Sequence, residues 1–167
     1  LGMGRIGEVL AKRAKGFDMR VLYHNRRPSP TADAIGAEYV DSLDALLAQS
    51  DYFSLNCPAT PETKGILNAE RIAKLPKGAV VINTARGVLV DDDALIAALK
   101  SGHLFAAGLD VFNNEPNIDP RYADLDNVFL LPHIGSATKE TREAMANRAA
   151  DNLDAVTAGR EPVDRVA

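Results

Sequence analysis

Gly2-Met3-Gly4-Arg5-Ile6-Gly7 opens the chain, one residue after Leu1. Three glycines at this spacing suit a strand-to-helix turn. Gly2 and Gly4 would let the backbone turn tightly and approach a pyrophosphate. Gly7 would let the following helix pack close to a sheet. The amides of Arg5 and Ile6 would begin that helix and face the anion, with Met3 inside the same turn. Taken alone, the pattern also fits a flexible turn. A strand should precede it and only Leu1 does, so the expectation is a domain lacking its first strand.

Working outward, Ile6, Val9, Leu10 and Ala14 follow helical spacing up to Gly16. Short apolar strands are predicted over 19–23, 38–40, 51–56, 79–82, 104–109 and 128–130. Helices are predicted after Ser42, over 68–75, over 91–100 and over 139–158. Pro28 and Pro30 should end regular structure after the first of these strands. Short apolar strands alternating with helices define an α/β chain with a doubly wound parallel sheet, covered on both faces. The domain is expected over 1–159. The tail 160–167 reads as a strand leaving for another domain that this chain does not contain.

The chain has 167 residues, 46% of them hydrophobic and 25% charged, which suits one globular domain rather than a disordered or coiled-coil chain. The net charge of −4 argues against a nucleic-acid partner. No apolar run reaches the length of a membrane span, and none resembles a signal peptide. The single cysteine cannot form an internal disulfide, so a cytoplasmic setting is the default. Three scattered histidines and that cysteine lack metal-ligand spacing, so no metal is expected.

Asn25 lies 18 residues after Gly7, just past the second strand, where an acid would bond the ribose hydroxyls of NAD. Here a neutral amide is followed by Arg26 and Arg27. Two guanidinium groups would attract a 2′-phosphate, so NADP(H) is favoured and NAD(H) possible. A solvated basic turn is the plainer alternative. His24 reads as a structural or rim residue.

Three further segments each follow a predicted strand: Asn83 to Gly87 (N-T-A-R-G), Gly108 to Pro116 (G-L-D-V-F-N-N-E-P) and Leu131 to Thr138 (L-P-H-I-G-S-A-T). In an open parallel sheet the carboxyl ends of the strands face the ligand crevice. Arg86, Asp110, Glu115 and His133 would therefore share one edge. By residue type alone, Arg86 could be a surface arginine, Glu115 a solvated loop acid and His133 a structural histidine.

With these segments in this order, the chain resembles the D-isomer-specific 2-hydroxyacid dehydrogenases, most closely the glyoxylate/hydroxypyruvate reductase branch. The resemblance covers essentially the whole chain and includes H-N-R-R (His24 to Arg27) and N-C-P-A-T-P-E-T (Asn56 to Thr63). It implies the nucleotide-binding half of a two-domain Rossmann-type protein. It also implies that Arg86 grips a substrate carboxylate, that His133 exchanges the proton, and that Glu115 bonds the other ring nitrogen of that histidine. A carboxylate beside an imidazolium favours the charged ring.

The same resemblance places Pro58, Thr63, Thr84, Ala85, Asp110 and Gly135 along the dinucleotide. Thr63 could instead simply start a turn. Cys57, at the same strand end as Pro58, is grouped with these contacts and is most simply a buried apolar residue, not a nucleophile. His103 reads as structural. The implied substrate is a small 2-oxo or 2-hydroxy acid, and the implied assembly a homodimer through this domain. Phosphoglycerate dehydrogenase shares the Arg–Glu–His set. Formate dehydrogenase fits less well, since it carries glutamine where Glu115 stands. A dinucleotide-sensing, corepressor-like binding module is the reading from another class. The piece alone is expected to be inactive.

Overall fold

The structure is a computed structural model that describes residues 1–165. It divides into two compact units, 1–132 and 133 onward.

In the first unit, helix α1 (Arg5–Lys15) follows the glycine turn directly. Glu8 lies in its first turn and Lys12, Arg13 and Lys15 in its last, as the helix dipole favours. Strand β1 (Leu22–Tyr23) pairs in parallel with β2 (Glu38–Tyr39). The expected five-residue strand is cut to two because its partner is only two residues long. Between them lies a short helix, α2 (Ala32–Ile35), ended by Gly36 at φ 71°. The prolines had concealed it.

Four parallel strands form the second sheet: β3 (Tyr52–Leu55), β4 (Ala79–Asn83), β5 (Leu104–Leu109) and β6 (Val128–Leu130). Helices α3 (Leu43–Leu47), α4 (Ala69–Ile72) and α5 (Asp92–Lys100) supply Leu47, Ile72 and Leu95 to one face. These pack on Phe53, Leu55, Val81, Leu104 and Leu109, all nearly inaccessible. Each such side chain contributes about 1.5–3 kcal/mol of burial. Caps fit the expected boundaries: Ser42, Asn68 and Asp91 each accept from the backbone N–H three residues on. The opposite face is more open within this unit, where Tyr52 and Phe129 remain exposed.

A groove of about 940 Å³ runs between edge strands β1 and β3, lined by Leu22, Tyr23, Tyr52 and Phe53 among others. Leu1 and Gly2 bridge it at one end. The Leu1 amine donates to the Ser54 carbonyl (2.8 Å), and Asn56 N–H donates to the Leu1 carbonyl (2.8 Å). Gly2 N–H donates to the His24 carbonyl (3.1 Å) on the other side.

In the second unit, α6 (Lys139–Thr157) is capped by Thr138. Residues 160–165 form no strand, contrary to expectation. Asp164 instead accepts from Arg148 (2.5 Å and 3.0 Å) and from Asn152 (2.8 Å), which folds the tail back on the helix. The last two residues of the expected return segment lie outside the described residues.

Candidate active site

Leu55, Asn83 and Leu109 stand in register across β3, β4 and β5. Parallel strands in register put their carboxyl ends on one edge. The segments that start at Asn56, Thr84 and Asp110 therefore leave the sheet side by side.

The glycine turn closes against the first of these. Gly2 has φ 95°, and a β-carbon there would lie 2.6 Å from the backbone of Asn56 and Cys57. A β-carbon on Gly7 would lie 2.2 Å from the Gly2 carbonyl oxygen. Both positions require glycine for internal reasons. Gly4 does not, since a β-carbon there would meet nothing within 4 Å. It is the N-cap of α1, and no side chain caps that helix. An uncapped helix start behind an open glycine suits a phosphate-bearing ligand, so these residues fit a dinucleotide.

The second strand's loop is tied to the same turn. Met3 N–H donates to Asn25 Oδ1 at 2.7 Å, so this amide braces the turn from the side. Glu8 accepts from the hydroxyls of Ser29 (3.2 Å) and Thr31, which holds the rest of the loop on α1. Arg26 and Arg27 stay exposed. The Glu62 carboxyl sits below its ordinary range, first through the Thr60 hydroxyl and, among smaller causes, through the charge of Arg26. Thr63 Oγ1 donates to the Pro58 carbonyl (2.8 Å) and accepts from Thr60 N–H (2.8 Å), which makes it a turn brace. Cys57 is buried, and burial pushes its thiol up, away from nucleophile behaviour. His24 and His103 bond backbone carbonyls, of Val40 (2.8 Å) and Ile72 (3.0 Å), as structural residues do.

Arg86 is built by a residue the motif reading passed over. Asn83, 1% exposed, donates from Nδ2 to the Arg86 carbonyl (2.9 Å) and accepts at Oδ1 from Ala85 N–H (3.1 Å). One buried amide therefore shapes the whole Thr84–Arg86 turn. Arg86 itself is exposed, with Nη1 on the Ala85 carbonyl (2.6 Å). The next residue locks this turn to the β5 loop. A β-carbon on Gly87 would sit 1.9 Å from the Phe112 carbonyl carbon. Asp110, 4% exposed, donates its N–H to the Asn83 carbonyl (3.0 Å). Glu115 accepts from Phe112 N–H at Oε1 (2.7 Å), which closes its loop on itself. The structure thus brings Thr84, Ala85, Arg86, Asp110 and Glu115 into one group.

His133 and Gly135 belong to the second unit. His133 has φ 54°, a left-handed conformation that a non-glycine residue adopts at some cost. Among the described residues, no group of three or more His, Cys, Asp or Glu could hold a metal ion. None of the described helices is long and apolar enough to cross a membrane.

This is a nucleotide-binding α/β domain with an arginine and a carboxylate at its strand ends. The model of the D-isomer specific 2-hydroxyacid dehydrogenase NAD-binding domain matches residues 1–135, and the chain belongs to that family. Glycerate dehydrogenase of Hyphomicrobium methylovorum is 51% identical over 162 residues, 96% of this chain and 50% of that protein. Glyoxylate reductase of Thermococcus litoralis is 48% identical over 167 residues, covering 99% of this chain and 50% of that protein. A crystal structure of NADPH-dependent glyoxylate/hydroxypyruvate reductase from Sinorhizobium meliloti, in complex with NADP and malonate, superposes with a TM-score of 0.94 at 38% identity. That superposition covers 100% of this chain and 51% of the solved one. The chain spans about half the length of the curated relatives it matches.

Proposed function

We propose that this chain is the dinucleotide-binding part of an enzyme that reduces small 2-oxo acids, glyoxylate or hydroxypyruvate, to 2-hydroxy acids. The observation that carries the reading is the shared edge. The glycine turn, the Arg86 turn and the Glu115 loop all stand at the carboxyl ends of adjacent parallel strands. The bound nicotinamide would supply the hydride. Gly4 and the start of α1 would hold its pyrophosphate. Arg86 offers a planar fork that suits a 2-oxo acid carboxylate. By the family resemblance, His133 would donate the proton in reduction and accept it in oxidation, and Glu115 would be its carboxylate partner. NADP(H) is the favoured cofactor, since exposed Arg26 and Arg27 follow a neutral Asn25. A reductase relative solved with NADP supports that preference. Homodimer formation belongs to the same reading. It is supported by the exposed apolar residues Met145, Leu153 and Val156 along α6.

The test is glyoxylate- and hydroxypyruvate-dependent oxidation of NADPH and NADH by the complete gene product. NADPH turnover should collapse in His133→Ala and shift toward NADH in Arg26→Asp. Dinucleotide binding without turnover of any small 2-oxo acid would replace this reading with a sensing module.

A further inference from the structure

Two acids follow the Asp91 cap in the first turn of α5, and they are used differently. The Asp93 side chain is 81% exposed and meets the guanidinium of Arg121 (2.6 Å). Asp92 turns both of its oxygens to other segments. Oδ2 accepts from Asn113 Nδ2 (2.9 Å), and Oδ1 accepts from the Tyr122 hydroxyl (2.7 Å). A first-turn acid that served only the helix dipole would need neither partner.

Asn113 is two residues before Glu115. Its Nδ2 also donates to the Val90 carbonyl (3.1 Å), at the end of the 3-10 turn Gly87–Leu89 that follows Arg86. One amide therefore spans the Arg86 turn, the start of α5 and the Glu115 loop. Tyr122 is 2% exposed, and its ring meets Phe112 edge-on with centroids 6.2 Å apart. Burial, then the bond to Asp92, pushes its phenol far above the ordinary value, so the hydroxyl stays a donor. Asp92 is thus fixed on one side by a buried phenol and on the other holds the loop that carries Glu115.

We propose that Asp92 is a positioning residue for the reaction, acting through Asn113 to set where Glu115 points. The proposal rests on the role given to Glu115 above. Asp92→Asn is nearly isosteric and keeps the Asp91 cap. It removes the negative charge that both partners meet and lets an amide donor face the Asn113 amide.

The experiment is steady-state reduction of glyoxylate by the complete gene product carrying Asp92→Asn, Glu115→Gln or both. In Asp92→Asn we expect kcat to fall on the order of tenfold or more, because small misplacement of a reacting group is costly. KM for the 2-oxo acid and Kd for the dinucleotide should stay within about two-fold, since neither is bound through Asp92. The double variant should be no slower than Glu115→Gln alone, as residues acting through one another are not additive. Tyr122→Phe, which leaves the Asn113 bond in place, should lose less than about three-fold. If Asp92→Asn does not fold, Asn113→Ala cuts the same link outside the helix and should give the same pattern. A slow Glu115→Gln beside an unchanged Asp92→Asn overturns the proposal and leaves the proposed function standing. Losses that simply add also overturn it. Full activity in Glu115→Gln overturns the role given to Glu115 and this proposal with it, whereas a parent that reduces no small 2-oxo acid overturns the proposed function itself.

Discussion

At the Gly2–Gly7 turn the close approaches are made by backbone on backbone, while at the Arg86 turn they are organised by buried polar side chains. The first region depends on atoms that are absent: β-carbons at Gly2 and Gly7 would collide with main chain. The second depends on atoms that are present: Asn83, Asp92, Asn113 and Tyr122 hold the loops by their side chains. The contrast suits the two proposed tasks. A pyrophosphate can be met by amides and a helix dipole. A guanidinium and a carboxylate that act on a reacting centre must be aimed, and aiming needs directional bonds. Gly87 is the exception in the second region. It follows the rule of the first and is the point where the two loops touch.

That exception is the sharpest place to break the comparison. Gly87→Ala should destabilise the fold by about 3 kcal/mol or more, because no side-chain rotation relieves a clash with main chain. It would be read as a fall in the urea midpoint. A variant as stable as the parent would mean that the two loops do not hold each other. Next in size is Asn83→Ala, which strands the Arg86 carbonyl and Ala85 N–H under a buried strand end. The expected loss is about 1–3 kcal/mol, with a larger relative loss of 2-oxo acid turnover than of dinucleotide binding. Equal losses in both would erase the distinction between the regions. Gly4→Ala should act the other way round. It meets no protein atom, so stability should change by less than about 1 kcal/mol. The affinity for NADPH, measured by fluorescence titration, should fall about tenfold as the new methyl enters the phosphate approach. Undiminished affinity would remove the glycine turn from the cofactor site.

The same contrast governs what the sequence could disclose. Backbone requirements leave a signature in residue type, since glycine spacing and strand-end placement can be read without a partner. The parallel sheet, the cap at Ser42 and the structural role of His103 were legible from the sequence. Side-chain braces leave none. Asn83 and Gly87 stand inside the quoted N-T-A-R-G segment, yet nothing in the letters says that one shapes the Arg86 turn or that the other touches Phe112. Asp92 looks like any first-turn acid until Asn113, 21 residues away, is seen beside it. Asn25 is a further case. The letters offered it as a neutral amide where an acid would bond a ribose, and did not show that it also braces Met3. The two-residue β1 and the missed α2 have a simpler cause, since strand length depends on the partner and one helical turn has no periodicity.

The smallest expected effect concerns charge. Arg121 joins Asp93 on α5 to Asp119 before the 3-10 turn that carries Tyr122. The Asp119 carboxyl is pulled down to about 2, chiefly by the Arg121 side chain and then by the Arg121 backbone N–H. Its unfolded value is about 3.9. A folded value below the unfolded one contributes stability that is complete above about pH 4 and is lost as pH falls toward about 2. The difference in urea midpoint between the parent and Asp119→Asn should therefore be constant above about pH 4 and shrink on acidification. The effect should be modest, because Arg121 and Asp93 are exposed and Asp119 is partly so, and it should weaken with added salt. Gly4→Ala, at the end of the molecule held by backbone, should leave that acid limb unchanged. A difference that grows as pH falls would mean that Arg121 holds Asp119 less tightly in the fold than the geometry indicates, and that the Tyr122 turn is anchored through Asp92 alone.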